Sequence, residues 1–215
     1  MLPNDTIAAI ATAPGEGGIS IVRVSGPEAE AVLSAVFRPA GGAADKPLPT
    51  HLLTYGRAYD GSETLDECMA VLFRAPRSYT REDVAELQLH GGWLTAERVL
   101  RACLRAGARL AEPGEFTRRA FLNGRLDLSQ AEAVMALIRS RGEQARQAAL
   151  RQLEGGAAAF VRAAADRLYG IQAALAACID YPEEVSEEEA AARMAEEVKK
   201  QAEAGEEKAE EGEDK

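Results

Sequence analysis

Val84-Ala85-Glu86-Leu87-Gln88-Leu89-His90, then Gly91-Gly92, then Trp93 to Ala106, is the stretch on which the fold class turns. Val84, Glu86, Gln88 and His90 fall on one face and Ala85, Leu87 and Leu89 on the other, the period of two of a strand. Gly91-Gly92 ends it. The period then changes: Leu94, Val99, Leu100, Cys103 and Leu104 recur at helical spacing, and Gly107 is a helix stop. A half-buried strand followed by an amphipathic helix predicts a domain that mixes short strands with helices.

Working outward, Thr6–Ala13 and Ile19–Val24 are β-rich runs separated by the turn-forming Pro14-Gly15-Glu16-Gly17-Gly18. Ser25-Gly26-Pro27 opens a helix, with Pro27 suited to its first position and Ala31, Val32, Ala35 and Val36 as its apolar face. Pro39 to Pro49 reads as a loop. Leu52–Tyr59 and Cys68–Phe73 are strands joined around Asp60-Gly61, a hairpin signal. Pro113-Gly114-Glu115-Phe116 starts a short helix ending near Asn123-Gly124. In the longer helix that follows, Ser129 with Glu132 has capping-box form, and Leu128, Val134, Met135, Leu137, Ile138, Leu150 and Leu153 form the stripe. Gly155-Gly156 interrupts it, and Ala157–Ile179 is a further helix. The expected class is α+β: a mixed-sheet domain over residues 1–118, a partial helical domain over 119–200, and an acidic disordered tail over 201–215. Within the helical part, Ala190–Lys200 is a helix with nothing to dock it.

Charge supports that division. The 215 residues carry 35 acids and 25 bases, a net charge of -10. From Glu183 onward stand 14 acids and 5 bases, which leaves 21 acids and 20 bases in residues 1–182, 19 of the latter being Arg. The acidity belongs to the tail. The arginine-rich body suits planar anionic partners such as carboxylate and phosphate. Cys68, Cys103 and Cys178 lie too far apart for a metal-ligand pattern or a disulfide framework, which points to a reducing compartment. The N-terminal apolar stretch, Ile7 to Ala13, is far short of the roughly 20 residues that span a bilayer, and follows Asp5 rather than Lys or Arg.

Few residues are candidates for chemistry. Arg23 sits in the Ile19–Val24 strand on the face of Ile19 and Ile21, where a charge is costly unless paired; it reads as a structural ion pair, an edge-exposed arginine, or an anion or ligand contact. Glu86 shares a face with Gln88 and His90. The alternation alone puts that face toward water, and the competing reading is a carboxylate meeting a flat donor edge such as an amidine or a pterin. His90 is a base or a ligand in principle, but with His51 the only other histidine a zinc site has no support. Gly15-Glu16-Gly17-Gly18 has neither dinucleotide nor phosphate-loop spacing, and no G-x-x-x-x-G-K-[ST] occurs in these 215 residues. Arg98, Arg101, Arg105 and Arg109 form a row read as a solvated face or a phosphate footprint, as do Arg139, Arg141, Arg146 and Arg151.

Several stretches together carry a resemblance. They are Asn4-Asp5-Thr6-Ile7-Ala8-Ala9, Ala11 through Gly26, Ser78-Tyr79-Thr80-Arg81-Glu82-Asp83 through Gly92, Arg109 through Leu128 with Phe121-Leu122-Asn123-Gly124-Arg125, Gln130-Ala131-Glu132-Ala133, and Ile179-Asp180-Tyr181-Pro182-Glu183-Glu184. In order, over about residues 4 to 184, they resemble the N-terminal part of the MnmE (TrmE) family of tRNA modification GTPases. The resemblance implies an N-terminal domain that binds 5-formyl- or 5,10-methylene-tetrahydrofolate and forms a homodimer. It implies a helical domain into which a GTPase domain is inserted, and cytoplasmic work with the flavoprotein MnmG at C5 of wobble uridine 34 of tRNA, driven by potassium-dependent GTP hydrolysis. It implies folate contacts at Arg23, Glu86 and Arg125, the last where the family pattern has Lys. On that resemblance the reading of Glu86 reverses, from solvent face to ligand contact. With no phosphate loop, GTP and potassium are not expected to bind this chain, which reads as a truncated form. The alternative is a stand-alone folate-binding or dimerisation module with no tRNA-modifying role.

Overall fold

The computed structural model describes residues 5–41, 48–180 and 195. β1 (Ile7–Ile10) and β2 (Ile19–Ser25) flank the glycine-rich turn. They are followed by α1 (Ala29–Val36), β3 (Phe37–Pro39), β4 (Thr54–Asp60), β5 (Glu63–Phe73), β6 (Val84–His90), α2 (Trp93–Arg105) and β7 (Arg109–Leu110). The strands form one sheet in the order β3-β4-β5-β6-β2-β1-β7. Every neighbouring pair is antiparallel except β1 with β7, so the sheet is mixed and the class is α+β, as expected.

The alternation read in Val84–His90 is realised. Ala85, Leu87 and Leu89 join Val22, Val24 and Leu72 in the core, beneath Val32, Leu33 and Val36 of α1 and Ala96, Val99 and Cys103 of α2. Each fully buried Val or Leu there contributes about 1.5–3 kcal/mol relative to exposure. The opposite face of the sheet carries Tyr55, Met69, Ile21, Arg23, Glu86 and Gln88, most of them half-buried. The Asp60-Gly61 turn joins β4 to β5 as expected, Gly61 taking the positive φ of 60° that such a turn needs.

Local departures have local causes. The first helix begins at Ala29, not Pro27, and buries Ala29, Val32, Leu33 and Val36, leaving Ala31 and Ala35 exposed. In α2 the buried stripe is Ala96, Val99, Ala102 and Cys103, while Leu94 is 68% exposed; the two alanines let the helix lie close on the sheet. β3 and β7 are short edge strands that the pattern did not show.

After the sheet come α3 (Glu115–Leu122), α4 (Leu128–Arg139), α5 (Glu143–Leu153) and α6 (Gly156–Asp180). The capping box lies two residues earlier than expected. Asp127 Oδ1 accepts from Gln130 N at 2.8 Å and Gln130 Oε1 accepts from Asp127 N at 3.0 Å, whereas Ser129 sits in the first turn and accepts from Gln152 Nε2. The single long helix expected over this region is two. Ser140 (ψ 130°) and Gly142 (φ -144°, ψ 156°) take extended backbone, and Ser140 Oγ donates to the Leu137 carbonyl, so the ladder stops there. Of the stripe, Leu128, Met135 and Ile138 are exposed, and the fully buried positions are Ala133 and Ala149. The described residues up to Glu154 form one compact unit, and the 25-residue helix α6 belongs to a second. The helix expected over 190–200 (residue 195 apart), the tail over 201–215 and residues 42–47 of the expected Pro39–Pro49 loop lie outside the described residues.

Candidate functional site

β2 and β6 are neighbours in a register that sets Arg23 directly opposite Glu86. Arg23 Nε donates to Glu86 Oε1 at 2.7 Å, the side chains being 26% and 15% exposed. The strand-borne charge therefore has the partner its position demands. Glu86 Oε2 accepts no hydrogen bond among the described residues. The Arg23 guanidinium also stands 5.3 Å from the Tyr79 ring and 5.6 Å from the Phe116 ring, within cation–π range.

Arg125 arrives from the other side, and the end of α3 explains how. Gly124 adopts φ 70°, Gly124 N donates to Phe121 O at 2.9 Å and Arg125 N to Ala120 O at 2.9 Å. This is a Schellman ending, which needs the left-handed residue that glycine supplies at least cost. The chain reverses there, and Arg125 comes to lie 4.8 Å from the Tyr79 ring. Tyr79 is itself fixed by a 2.9 Å hydrogen bond between its hydroxyl and Thr117 of α3. Arg23 and Arg125, distant in sequence, thus meet at one tyrosine, and Glu86 joins them through its bond to Arg23. Glu86 and Arg125 line a cavity of about 560 Å3 with His51, Phe73, Tyr79 and Arg81, and Arg23 lines an adjacent one of about 600 Å3 that also includes Tyr79. Both volumes are typical of small-molecule sites.

α3 is held in place by a buried ionic cluster that the sequence pattern did not single out. Arg119, 1% exposed, donates to Asp5 Oδ1 at 2.6 Å, to the Asp5 carbonyl at 2.9 Å, to Glu115 at 3.1 Å and to Glu82 at 3.3 Å. Arg109 grips Glu115 with two bonds of 2.7 and 3.1 Å and reaches Asp5 Oδ2 at 2.7 Å. Hydrogen bonding from Arg109 is the main reason the Glu115 carboxyl is held down at about 2, against 4.5 for a free one; Asp5 is lowered by the same arginine first. Glu82 extends the cluster to Ser25 at 2.7 Å. The loop before β6, the segment before β1 and α3 are thereby locked together, and with them Tyr79 and Arg125.

Other sequence candidates resolve differently. His90 is exposed and bonds Asp66 at 2.8 Å, which raises its pKa. Among the described residues no group of three His, Cys, Asp or Glu could hold a metal ion. Arg98, Arg101, Arg105 and Arg109 each meet a carboxylate (Glu63, Glu97, Asp60, and Asp5 with Glu115), which is the solvated-face reading rather than a phosphate footprint. Burial pushes the Cys68 and Cys103 thiols up to about 12, so neither is a nucleophile at neutral pH. Gly91 is required where it stands, because a Cβ there would meet the Gly17 carbonyl. No described helix is long and apolar enough to cross a membrane. Tyr79 and Phe116 had no site role in the sequence reading. Their signal was the scarcity of aromatics, only 5% of the chain, and their place inside the resembling stretches.

Comparison with known proteins converges on the same segments. Residues 6–125 match the family described as GTP-binding protein TrmE N-terminus, and residues 128–214 match the MnmE helical domain. The chain is 54% identical over 186 residues, 86% of its length, to the tRNA modification GTPase MnmE of Moorella thermoacetica. It is 53% identical over 184 residues, 84% of its length, to that of Symbiobacterium thermophilum, and 47% identical over 190 residues, 88% of its length, to that of Listeria innocua. It spans about 40% of the length of these curated relatives. On both matches the chain belongs to the MnmE (TrmE) family of tRNA modification GTPases.

Proposed function

We propose that the cavity around Tyr79 binds a reduced folate, 5-formyl- or 5,10-methylene-tetrahydrofolate. The observation that carries the reading is the approach of Arg23 and Arg125 to one aromatic ring, Tyr79, in a cavity that Glu86, bonded to Arg23, also lines. The residues suit the ligand's parts. Glu86 offers a half-buried acceptor to a pterin's donor edge, and Arg23 holds that carboxylate in place through its 2.7 Å hydrogen bond. Tyr79 offers a flat apolar face, and Arg125 a cation for a carboxylate. When bound, such a folate supplies a one-carbon unit; the protein's part is to bind, orient and partly desolvate it.

This reading goes with a folate-binding, dimerising domain over residues 1–118 and a helical domain over 119–200. It places the chain in the tRNA modification its relatives are named for, acting in the cytoplasm with MnmG on wobble uridine 34. GTP hydrolysis and potassium binding fall to residues other than these 215, which contain no phosphate loop. Isothermal titration of the chain with 5-formyltetrahydrofolate tests the reading. Saturable binding at one site per chain is expected. No heat, with circular dichroism showing an intact fold, would remove folate from the account.

A further inference from the structure

The same cavity carries a further layer of charge that the folate contacts Arg23 and Glu86 do not account for. Arg77 and Arg81 line its mouth with Arg125, and all three are exposed, whereas Glu86 is 15% exposed. Among the described residues none of these three arginines forms an ion pair, whereas the nearby Arg23 and Arg74 are each paired with a glutamate. The only carboxylate lining the cavity is Glu86, which is already bonded to Arg23. One cavity mouth thus gathers three arginines with nothing to balance them.

The rim is also built to hold its shape. The Arg77 carbonyl can only accept, so His51 Nε2 must donate to it, at 2.9 Å; His51 Nδ1 meets the Thr50 hydroxyl at 2.7 Å, and Phe73 packs against the ring at 5.2 Å. On the other side Arg81 Nη1 donates to the Asn123 carbonyl at 3.3 Å, and Asn123 Nδ2 to the Thr80 carbonyl at 2.7 Å. His51 and Arg81 are the two non-glycine residues of the described chain with positive φ, 60° and 62°. Strained backbone of this kind persists where surrounding contacts over-determine it, and here both instances border one cavity.

Resting on the folate reading, we infer that Arg77, Arg81 and Arg125 form an anion-receiving rim for the glutamyl carboxylates of the folate tail, which makes the site selective for polyglutamylated folate. The half-buried acceptor lies inside and the unbalanced cations outside. That polarity orients the ligand with its donor edge toward Glu86 and its carboxylate-bearing end toward the mouth. Each added glutamyl unit brings one more carboxylate to a preformed cationic surface. His51 acts as a positioning residue through the Arg77 backbone.

The test compares monoglutamyl and pentaglutamyl 5-formyltetrahydrofolate on the full chain by titration calorimetry. The wild type should bind the pentaglutamate about 10-fold tighter, or about 1.4 kcal/mol, since two or three partly exposed pairs each contribute a few-fold. Salt should erode this preference. In the Arg77→Gln/Arg81→Asn double variant the ratio should fall to about 2 or below; Asn is chosen at 81 because it tolerates positive φ. Arg98→Gln, remote from the cavity and paired with Glu63, should keep the full ratio. Equal binding of the two ligands by the wild type, or a ratio unchanged in the double variant, overturns the rim. Absence of binding by either ligand to folded chain overturns the folate reading and the rim with it. Loss of affinity for both ligands in Glu86→Ala with the ratio retained supports both.

Discussion

Replacing Glu86 with Ala separates the two lives of this residue, cross-strand ion pair and ligand acceptor. The fold should survive. Arg23 is 26% exposed and keeps the Tyr79 and Phe116 rings at 5.3 and 5.6 Å, so losing its 2.7 Å partner should cost about 1 kcal/mol of stability. The ligand should suffer more. A pterin donor edge left facing a site from which a carboxylate with 15% exposure has been removed loses a charge-assisted bond that water only partly replaces. The expected loss is about 2 kcal/mol, or about 30-fold in Kd at 25 °C. Glu86→Gln keeps a carbonyl acceptor of the same reach and should lose less. Titration calorimetry gives the affinities and urea unfolding the stabilities. An Ala variant that binds 5-formyltetrahydrofolate within about two-fold of wild type, while unfolding normally, would refute the role given to Glu86.

Three further outcomes follow from the surrounding structure. Arg119→Met should destabilise the chain by about 3–5 kcal/mol in urea, because Glu115, Asp5 and Glu82 are left around a buried gap in their charge pairing; a loss under about 1 kcal/mol contradicts the clamp. The carboxyl of Glu115 is depressed from 4.5 to about 2 in the folded state, so its contribution is fully present above about pH 5 and drains away as the pH falls toward 2. A urea midpoint flat between those limits would show that the Arg109 bond to Glu115 does not persist in solution. Asp127→Ala should cost about 1 kcal/mol through the lost helix cap, whereas Ser129→Ala should cost less, since Ser129 serves only Gln152; melting temperatures of the two variants decide between the caps.

Much of the sheet was legible because its signals are local. The period of two in Val84–His90, the Asp60-Gly61 turn and the Gly107 stop each reach over a few residues. What depends on packing was not. Leu94 looked like a core residue by spacing, but the close approach allowed by Ala96 and Ala102 moved the buried stripe off it. The Asp127–Gln130 box carries the same motif form as Ser129–Glu132, and only the chain reversal after Gly124 shows which one starts the helix. The site lay further out of reach. The Arg23–Glu86 pair joins residues 63 apart through strand register, and Arg125 reaches Tyr79 only through the Schellman turn. Resemblance supplied the three names; the geometry supplies Tyr79, which joins them, and the ionic clamp that holds it there.

The most direct test of the central claim is a crystal structure of the chain soaked with 5-formyltetrahydrofolate. The account predicts the pterin edge within hydrogen-bond distance of Glu86, the ring system against Tyr79, and the glutamyl end beside Arg125. Ligand density elsewhere on the chain, with the Tyr79 cavity empty, would contradict it.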